Sequence, residues 1–474
     1  MKSSLPLYRN AVDWAAFDRE FPAPDVYAET VFRWSGDQVR ALQEVRFRDI
    51  IAHAWHNGFY ASRWRAAGLE PGDIRSLDDI VKLPSFTTDD IKQDQAEHPP
   101  FGEISGIDLH TELQTNPVKV QTSSGTTGKP RPSLLGARDW ELIGLQTART
   151  LYLQGARPGD VLQIPATNSL AQFAWVFYKA AHDYLGIMPV TTGSGVVTPG
   201  VKQMQIAFDF GTNIIASFPE YLTAIARTAS EELGRDVRDL GMKFLPTFLG
   251  PDLEGALRGE LERMWACPAY DNYGTNEISI AAFEGQDQDG LYVMEDLVFL
   301  EIADTESGEP VPPGESGNLV ATCLSRRIPP IIRLNMRDVS RFLPAGTSAL
   351  GSNFRRIDHF LGRSDDMAKV RGVNIYPAAC LSAVRSDERT TGEWLCYVDR
   401  STIDGVIRDD MIVQVEIRGD AKALDGLEPA LAARLHQDLG LRVRVELVDE
   451  GTLAELTNVG KEGKARRLID RRFS

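Results

Sequence analysis

The sequence predicts an α/β protein: a large N-terminal mixed α/β domain followed by a small α+β C-terminal domain. Three observations carry this. Helix-like segments and short apolar strand-like segments alternate through most of the chain, a Gly-containing charged turn interrupts them near residues 361–367, and a shorter alternating set follows. We divide the chain accordingly into 1–364 and 365–474. A length of 474 residues, 43% hydrophobic and 25% charged, supports a large buried core of ordinary globular composition.

Residues 36–68 carry apolar positions at helical spacing, through Trp55, Phe59-Tyr60 and Trp64, and predict two helices. From Ser76 to Pro84 a Ser start, acids in the first turn and a terminal Pro predict a short helix. A strand over 118–121 is followed by a helix over 140–154, a turn at Arg157-Pro158-Gly159-Asp160 and a strand over 161–165. Then come a helix over 173–185, a strand over 187–190, a helix over 201–208 and a strand over 213–216, which imply crossover units and mostly parallel sheet. Ligands of such sheets collect beyond the carboxyl ends of the strands. After residue 366 the segments 395–399, 411–417, 427–439 and 443–448 alternate in the manner of a sheet with covering helices.

The formal net charge of -16 argues against general affinity for nucleic acid or an anionic membrane, because phosphate repels such a surface. Cys267, Cys323, Cys380 and Cys396 form no paired motif, which points to a reducing compartment and buried thiols. The N-terminus has no apolar leader and no stretch reaches membrane-spanning length, so a cytoplasmic location is expected.

The eight residues Thr122-Ser123-Ser124-Gly125-Thr126-Thr127-Gly128-Lys129 read as a phosphate cradle. Glycines admit backbone N–H groups close to a polyphosphate, hydroxyls donate hydrogen bonds and the lysine supplies positive charge. A Walker A loop is excluded, since Ser123 stands where glycine is needed and Pro130 where the Mg²⁺-binding hydroxyl would be. Gly193-Ser194-Gly195-Val196-Val197-Thr198 lacks the sixth small residue and the junction of a dinucleotide fingerprint.

In Asp271-Asn272-Tyr273-Gly274-Thr275-Asn276-Glu277, the last carboxylate could hold Mg²⁺ and the tyrosine ring could lie against a base; the bland alternative is a surface turn. Asp338, closing Arg333-Leu334-Asn335-Met336-Arg337-Asp338, could accept both hydroxyls of a ribose or simply pair with an arginine. Leu361 to Met367, leading into Arg371 to Pro377, reads as a domain joint or a solvated turn, and Glu462-Gly463-Lys464-Ala465-Arg466-Arg467 as a basic tail. Phe173, Trp175 and Phe218 would suit the wall of a pocket for a planar acid, or the core.

Five motifs in this order resemble the adenylate-forming enzymes, and more closely the branch containing phenylacetate-CoA ligase. The resemblance implies that residues 122–129 cradle the phosphates of ATP, that Glu277 coordinates Mg²⁺, that Tyr273 stacks on adenine and that Asp271 sits near the adenine amine. Asn276 replaces the usual Thr or Ser, leaving Asn276 and Thr275 as alternative donors to the α-phosphate. It further implies that Asp338 binds ribose, that Arg363 approaches the nucleotide, that Asp365 is the hinge of a mobile lid, and that Lys464, with Lys461 as a nearby competitor, is the catalytic lysine. Phe248 to Asp252, with Gly250, falls where relatives carry an adenine loop beside the acyl pocket, and matches poorly. Residues 284–299 lack the cysteines and histidines often found there, so no zinc is expected.

The implied reaction is ATP-dependent activation of an aryl or arylacetic acid, then transfer to coenzyme A. An aromatic amino acid substrate, a carrier-protein or amine acceptor, and a nucleotide-binding regulator are the alternatives. Relatives suggest a homodimer.

Overall fold

The computed structural model describes residues 5–107, 114–122, 131–252, 255–371, 373–403, 406–419, 424–457 and 466–472. Ser123, Ser124, Gly125, Thr126, Thr127, Gly128 and Lys129 of the expected cradle, and Lys464, lie outside the described residues.

The two expected N-terminal helices are Gly36–Ala54 and Gly58–Ala66. Ser35 and Gln38 close a capping box on the first, and Asn57 caps the second through Phe59 N at 3.0 Å. The segment before Pro84 is a 3-10 turn, Leu77–Lys82, rather than an α-helix. The segment is bounded by a capping box at Ser76 and by Pro84, and it closes with a bond three residues back, Leu83 N donating to Ile80 O at 3.0 Å.

The helix Ala137–Gln154 leads into a three-stranded parallel sheet in which Val161–Ile164 lies between Met188–Thr191 and Ile214–Ile215. Here the crossover prediction holds. The expected helix over 173–185 is α-helical only across Phe173–Lys179 and widens to a π turn over Ala180–Leu185.

Beyond this region the expectation of mostly parallel sheet fails. Leu245–Thr247 pairs in parallel with Ala269–Thr275, but Ala269–Thr275, Ser279–Glu284, Leu291–Val293 and Arg356–Ile357 continue the sheet antiparallel. A second sheet, Val298–Ala303, Gly317–Cys323, Leu334–Ser340 and Gly362–Arg363, is antiparallel throughout. Between Ala269 and Arg363 strand follows strand with no helix among the described residues to return the chain in parallel. Val118–Thr122 likewise pairs antiparallel with Pro132–Gly136, Thr122 opposite Pro132, so the cradle sequence joins the arms of a hairpin.

Apolar packing divides along the chain. A main core extends from Val12 to Ile357 with a satellite between Met204 and Ala269, and a separate core occupies Ala368 to Val445. In the latter, Val406–Ile417 and Thr390–Ile403 form the centre of a four-stranded sheet edged by Arg444–Val448 and Leu468–Asp470, both parallel to their neighbours. Leu427–Leu439 covers it with Leu427, Leu431, Leu435 and Leu439, one buried stripe at helical spacing. Arg466 N donates to Thr457 O at 2.8 Å just before the last strand. Among the described residues no helix is long and apolar enough to cross a membrane.

Candidate active site

The hairpin Ala269–Thr275 and Ser279–Glu284 carries the central motif. Gly274 is obligatory, because a Cβ there would stand 2.0 Å from the Ser279 carbonyl oxygen, and Ser279 turns the chain at φ 57°. Tyr273 is buried, and its hydroxyl donates to Asp338 Oδ2 at 2.9 Å. Burial and the Asp338 charge push that hydroxyl well above its ordinary range, so it serves as a donor.

Sheet register sets Asp338 opposite Arg363. Arg363 Nη1 meets Asp338 Oδ1 at 2.8 Å, while its Nε and Nη2 grip Asp365 at 2.7 and 2.8 Å. Arg337, held at φ 58°, adds a pair to Asp365 at 3.5 Å and one to Asp89 at 3.0 Å. Burial alone would raise the Asp365 carboxyl, but Arg363 and Arg337 outweigh it and hold the group below its usual value. Tyr273, Asp338, Arg363 and Asp365 thus form one connected polar line running into the joint.

Two members of the motif face inward. Asp271 Oδ1 accepts from Leu249 N at 2.8 Å and Asn272 N at 2.9 Å, and Oδ2 meets His359 Nδ1 at 3.1 Å. Asn272 Nδ2 donates to Thr247 O at 2.9 Å, and Gln154 Nε2 donates to Asn272 Oδ1 at 3.0 Å. The Asn272 amide thus stitches strand to strand and strand to helix. Through Oδ1, Asp271 holds the loop at Leu249 to its own strand.

Glu277 lies in a tight turn below the cradle arms. Its carboxylate pairs with Arg131, its carbonyl accepts from Arg326, and Thr275 Oγ1 accepts its N–H at 3.3 Å. Burial acts to raise the Glu277 carboxyl, yet Arg131 and Thr275 hold it below the ordinary value, so it is ionised at neutral pH. Asn276 Nδ2 donates to Thr122 O at 2.9 Å, and Gln121 Nε2 donates to Asn276 O at 3.2 Å, which fixes the turn to the hairpin arm. Mg²⁺ takes one or two carboxylates and completes its shell with phosphate oxygens and water, so a single ionised glutamate whose turn is tied to Thr122 fits it.

Of the residues expected to line an acid pocket, Phe173 stacks on Phe218 with ring centroids 5.3 Å apart and planes 29° apart. Phe248 closes the group at 6.0 Å from Phe173 and 5.8 Å from Phe218, which remains 49% exposed. Gly250 follows two residues on, at φ 68° with open space where a Cβ would stand. Trp175 is separated from the trio. Two positions along a helix point to opposite sides, and its ring meets the Lys119 ammonium at 5.7 Å while Nε1 donates to Ser169 O at 2.7 Å.

Arg131, Arg337, Phe248 and His359 take part in these contacts although the sequence reading passed over them as site residues. Arg131 carries a signal, a cation directly after the cradle. The others are recognisable only once distant segments meet.

The AMP-binding enzyme C-terminal domain model matches residues 372–472. Phenylacetate-coenzyme A ligase of Aromatoleum evansii is 30% identical over 456 residues, spanning 94% of this chain and 97% of that protein. The Escherichia coli (strain K12) phenylacetate-coenzyme A ligase is 29% identical, over 92% and 96%. Among solved structures, 2-hydroxyisobutyryl-CoA ligase in the postadenylation state with R3-HIB-AMP superposes with a TM-score of 0.79 at 26% identity, covering 93% of this chain and 91% of that one. The same ligase in its thioesterification state gives 0.66 at 27% identity with equal coverage, so the parts of this chain lie nearer the postadenylation arrangement. The chain belongs to the adenylate-forming ligases, in the phenylacetate-CoA ligase branch.

Proposed function

We propose that this AMP-forming acid-coenzyme A ligase acts on an aryl or arylacetic acid, with Tyr273, Asp338 and Arg363 receiving the nucleotide and Phe173, Phe218 and Phe248 the ring of the acid. The observation that carries the assignment is the polar line from Tyr273 through Asp338 and Arg363 to Asp365, which joins a base platform, a ribose acceptor and a hinge in one set of contacts.

An oxygen of the acid attacks the α-phosphorus of ATP, and the bond from that phosphorus to the pyrophosphate oxygen breaks. The acyl-adenylate then accepts the sulfur of coenzyme A at its carbonyl carbon, the thiol proton leaves and AMP departs. Tyr273 supports adenine, and Asp338 accepts the ribose hydroxyls, for which Arg363 and the Tyr273 hydroxyl must exchange partners. Glu277 would hold Mg²⁺, which offsets charge on the leaving pyrophosphate when bound. Thr275 and Asn276 border the α-phosphate, and the cradle sequence 122–129 binds the remaining phosphates. Lys464 bridges carboxylate and α-phosphate in the first step. The unit 365–474 then turns about Asp365, withdrawing the lysine and admitting the thiol. The aromatic trio and the phenylacetate-coenzyme A ligase relatives support an aromatic acid. Four unbridged cysteines support a cytoplasmic location, and the resemblance supports a homodimer.

The test is acid-dependent exchange of labelled pyrophosphate into ATP with Mg²⁺ across aromatic acids, amino acids and short aliphatic acids, followed by addition of coenzyme A. Exchange with an aromatic acid, its loss in Lys464→Ala and formation of the thioester are expected. Exchange without thioester would redirect the acceptor to a carrier protein or an amine. ATP binding with no exchange from any acid would turn the reading to a nucleotide-binding regulator.

A further inference from the structure

His359 lies in the short segment between Arg356–Ile357 and Gly362–Arg363, four residues before Arg363. Its ring reaches the strands Ala269–Thr275 and Ser279–Glu284. Nδ1 is 3.1 Å from Asp271 Oδ2 and Nε2 is 3.7 Å from Glu284 Oε1. Both carboxylates are buried, and Glu284 also accepts from Asp271 N at 3.0 Å. The charged groups meeting this cluster are Asp271 and Glu284 on adjacent strands and Arg258 on the helix Ala256–Trp265, 2.9 Å from Glu284. On the histidine's own segment, Asp358 is occupied by Arg341 at 2.8 Å.

With both carboxylates ionised, two buried anions face one arginine and one imidazole, and the cluster is balanced when the imidazole carries its proton; burial raises the Glu284 carboxyl, which makes it the competing holder of that proton. Loss of that proton leaves an uncompensated buried charge, which is costly in a low-dielectric interior. Asp271 is the acid whose other oxygen fixes Leu249 N, and so the loop between Phe248 and Gly250.

We propose that His359 is a positioning residue for adenylation: its imidazolium clamps Asp271, and through it the adenine edge of the site, to the segment that leads into Arg363 and the hinge. The proposal rests on the nucleotide reading of the Tyr273 platform. Burial opposes the protonated ring, but Asp271 and Glu284 outweigh burial and raise the imidazole above its ordinary value of 6.5. The bridge is therefore complete below that value and is lost as pH rises through the raised one. By reciprocity, nucleotide binding tightens wherever the proton is held.

The experiment measures KM for ATP in acid-dependent pyrophosphate exchange from about pH 6 to about pH 9, the range over which a raised histidine titrates. In the unmodified protein KM should rise about fivefold or more across the upper limb, with kcat changing less. His359→Gln should show the high KM at every pH, and His359→Lys, a permanent cation, the low one. A His359→Gln profile that follows the unmodified protein overturns the proposal. NMR titration of the imidazole provides a readout independent of activity: His359 should titrate above 6.5 and fall back towards it in Asp271→Asn. Titration at or below the ordinary value overturns the clamp even where exchange is normal. Absence of exchange in the unmodified protein, with a raised imidazole, would instead remove the nucleotide reading.

Discussion

The two sides of the candidate site are built in opposite ways. On the proposed nucleotide side the charged groups among the described residues are already partnered: Asp338 with Arg363 and the Tyr273 hydroxyl, Arg363 with Asp365, Glu277 with Arg131. On the acid side three phenylalanines touch only through their faces and edges, and Phe218 is half exposed. Charge inside a protein must be compensated before the ligand arrives, so ligand binding there is an exchange of partners. Apolar rings carry no such obligation, and their shape alone selects what sits between them. On the proposed reading, the chemistry common to all substrates belongs to the tied side and the choice of acid to the loose side.

The strongest test of this division is Asp338→Ala. Pyrophosphate exchange should fall about 10²-fold or more, by the same factor for every acid; a loss confined to some acids would break the comparison. Glu277→Gln should come next. It leaves Arg131 unpaired, so thermal or urea unfolding should show about 3 kcal/mol of lost stability, and exchange should weaken for all acids alike. The Glu277 carboxyl is lowered in the folded protein, so its contribution is present above the ordinary value of 4.5 and is lost as pH falls through the lowered one. Unfolding curves at acid pH should thus converge between the variant and the unmodified protein.

Phe173→Ala should act differently. KM for an aryl acid should rise about tenfold while KM for a short aliphatic acid changes little, a difference that steady-state kinetics with paired substrates would detect. Equal effects on both acids would make Phe173 core. The smallest change is expected from Trp175→Phe: acid preference should shift by less than about twofold, and loss of part of the Lys119 contact should cost about 0.5 kcal/mol of stability at most. A large shift in preference would return Trp175 to the acid wall.

What the sequence disclosed follows the same divide. Glycine against a facing backbone at Gly274, an acid at Asp338 and a charged turn at Arg363 to Asp365 are required by local chemistry, and each is legible where it stands. The leucine spacing of 427–439 and the alternation across 161–216 were equally readable, because helix and strand periods are local. Partnerships are not. Arg131 reaches Glu277 across 146 positions and His359 reaches Asp271 across 88, and no spacing rule spans such distances. The engagement of the Asn272 amide is of the same kind, since Thr247 and Gln154 reach it from distant segments. The antiparallel course after Ala269 was hidden for another reason: short apolar strands look alike whichever way their neighbours run.

The hydrogen bond from Arg466 N to Thr457 O brings the chain back to where it left, immediately before the strand Leu468–Asp470 joins the C-terminal sheet. Thr457 and Arg466 are thus held together beside that sheet, so both points at which the intervening sequence attaches to the fold are fixed to one body and move only as that body moves.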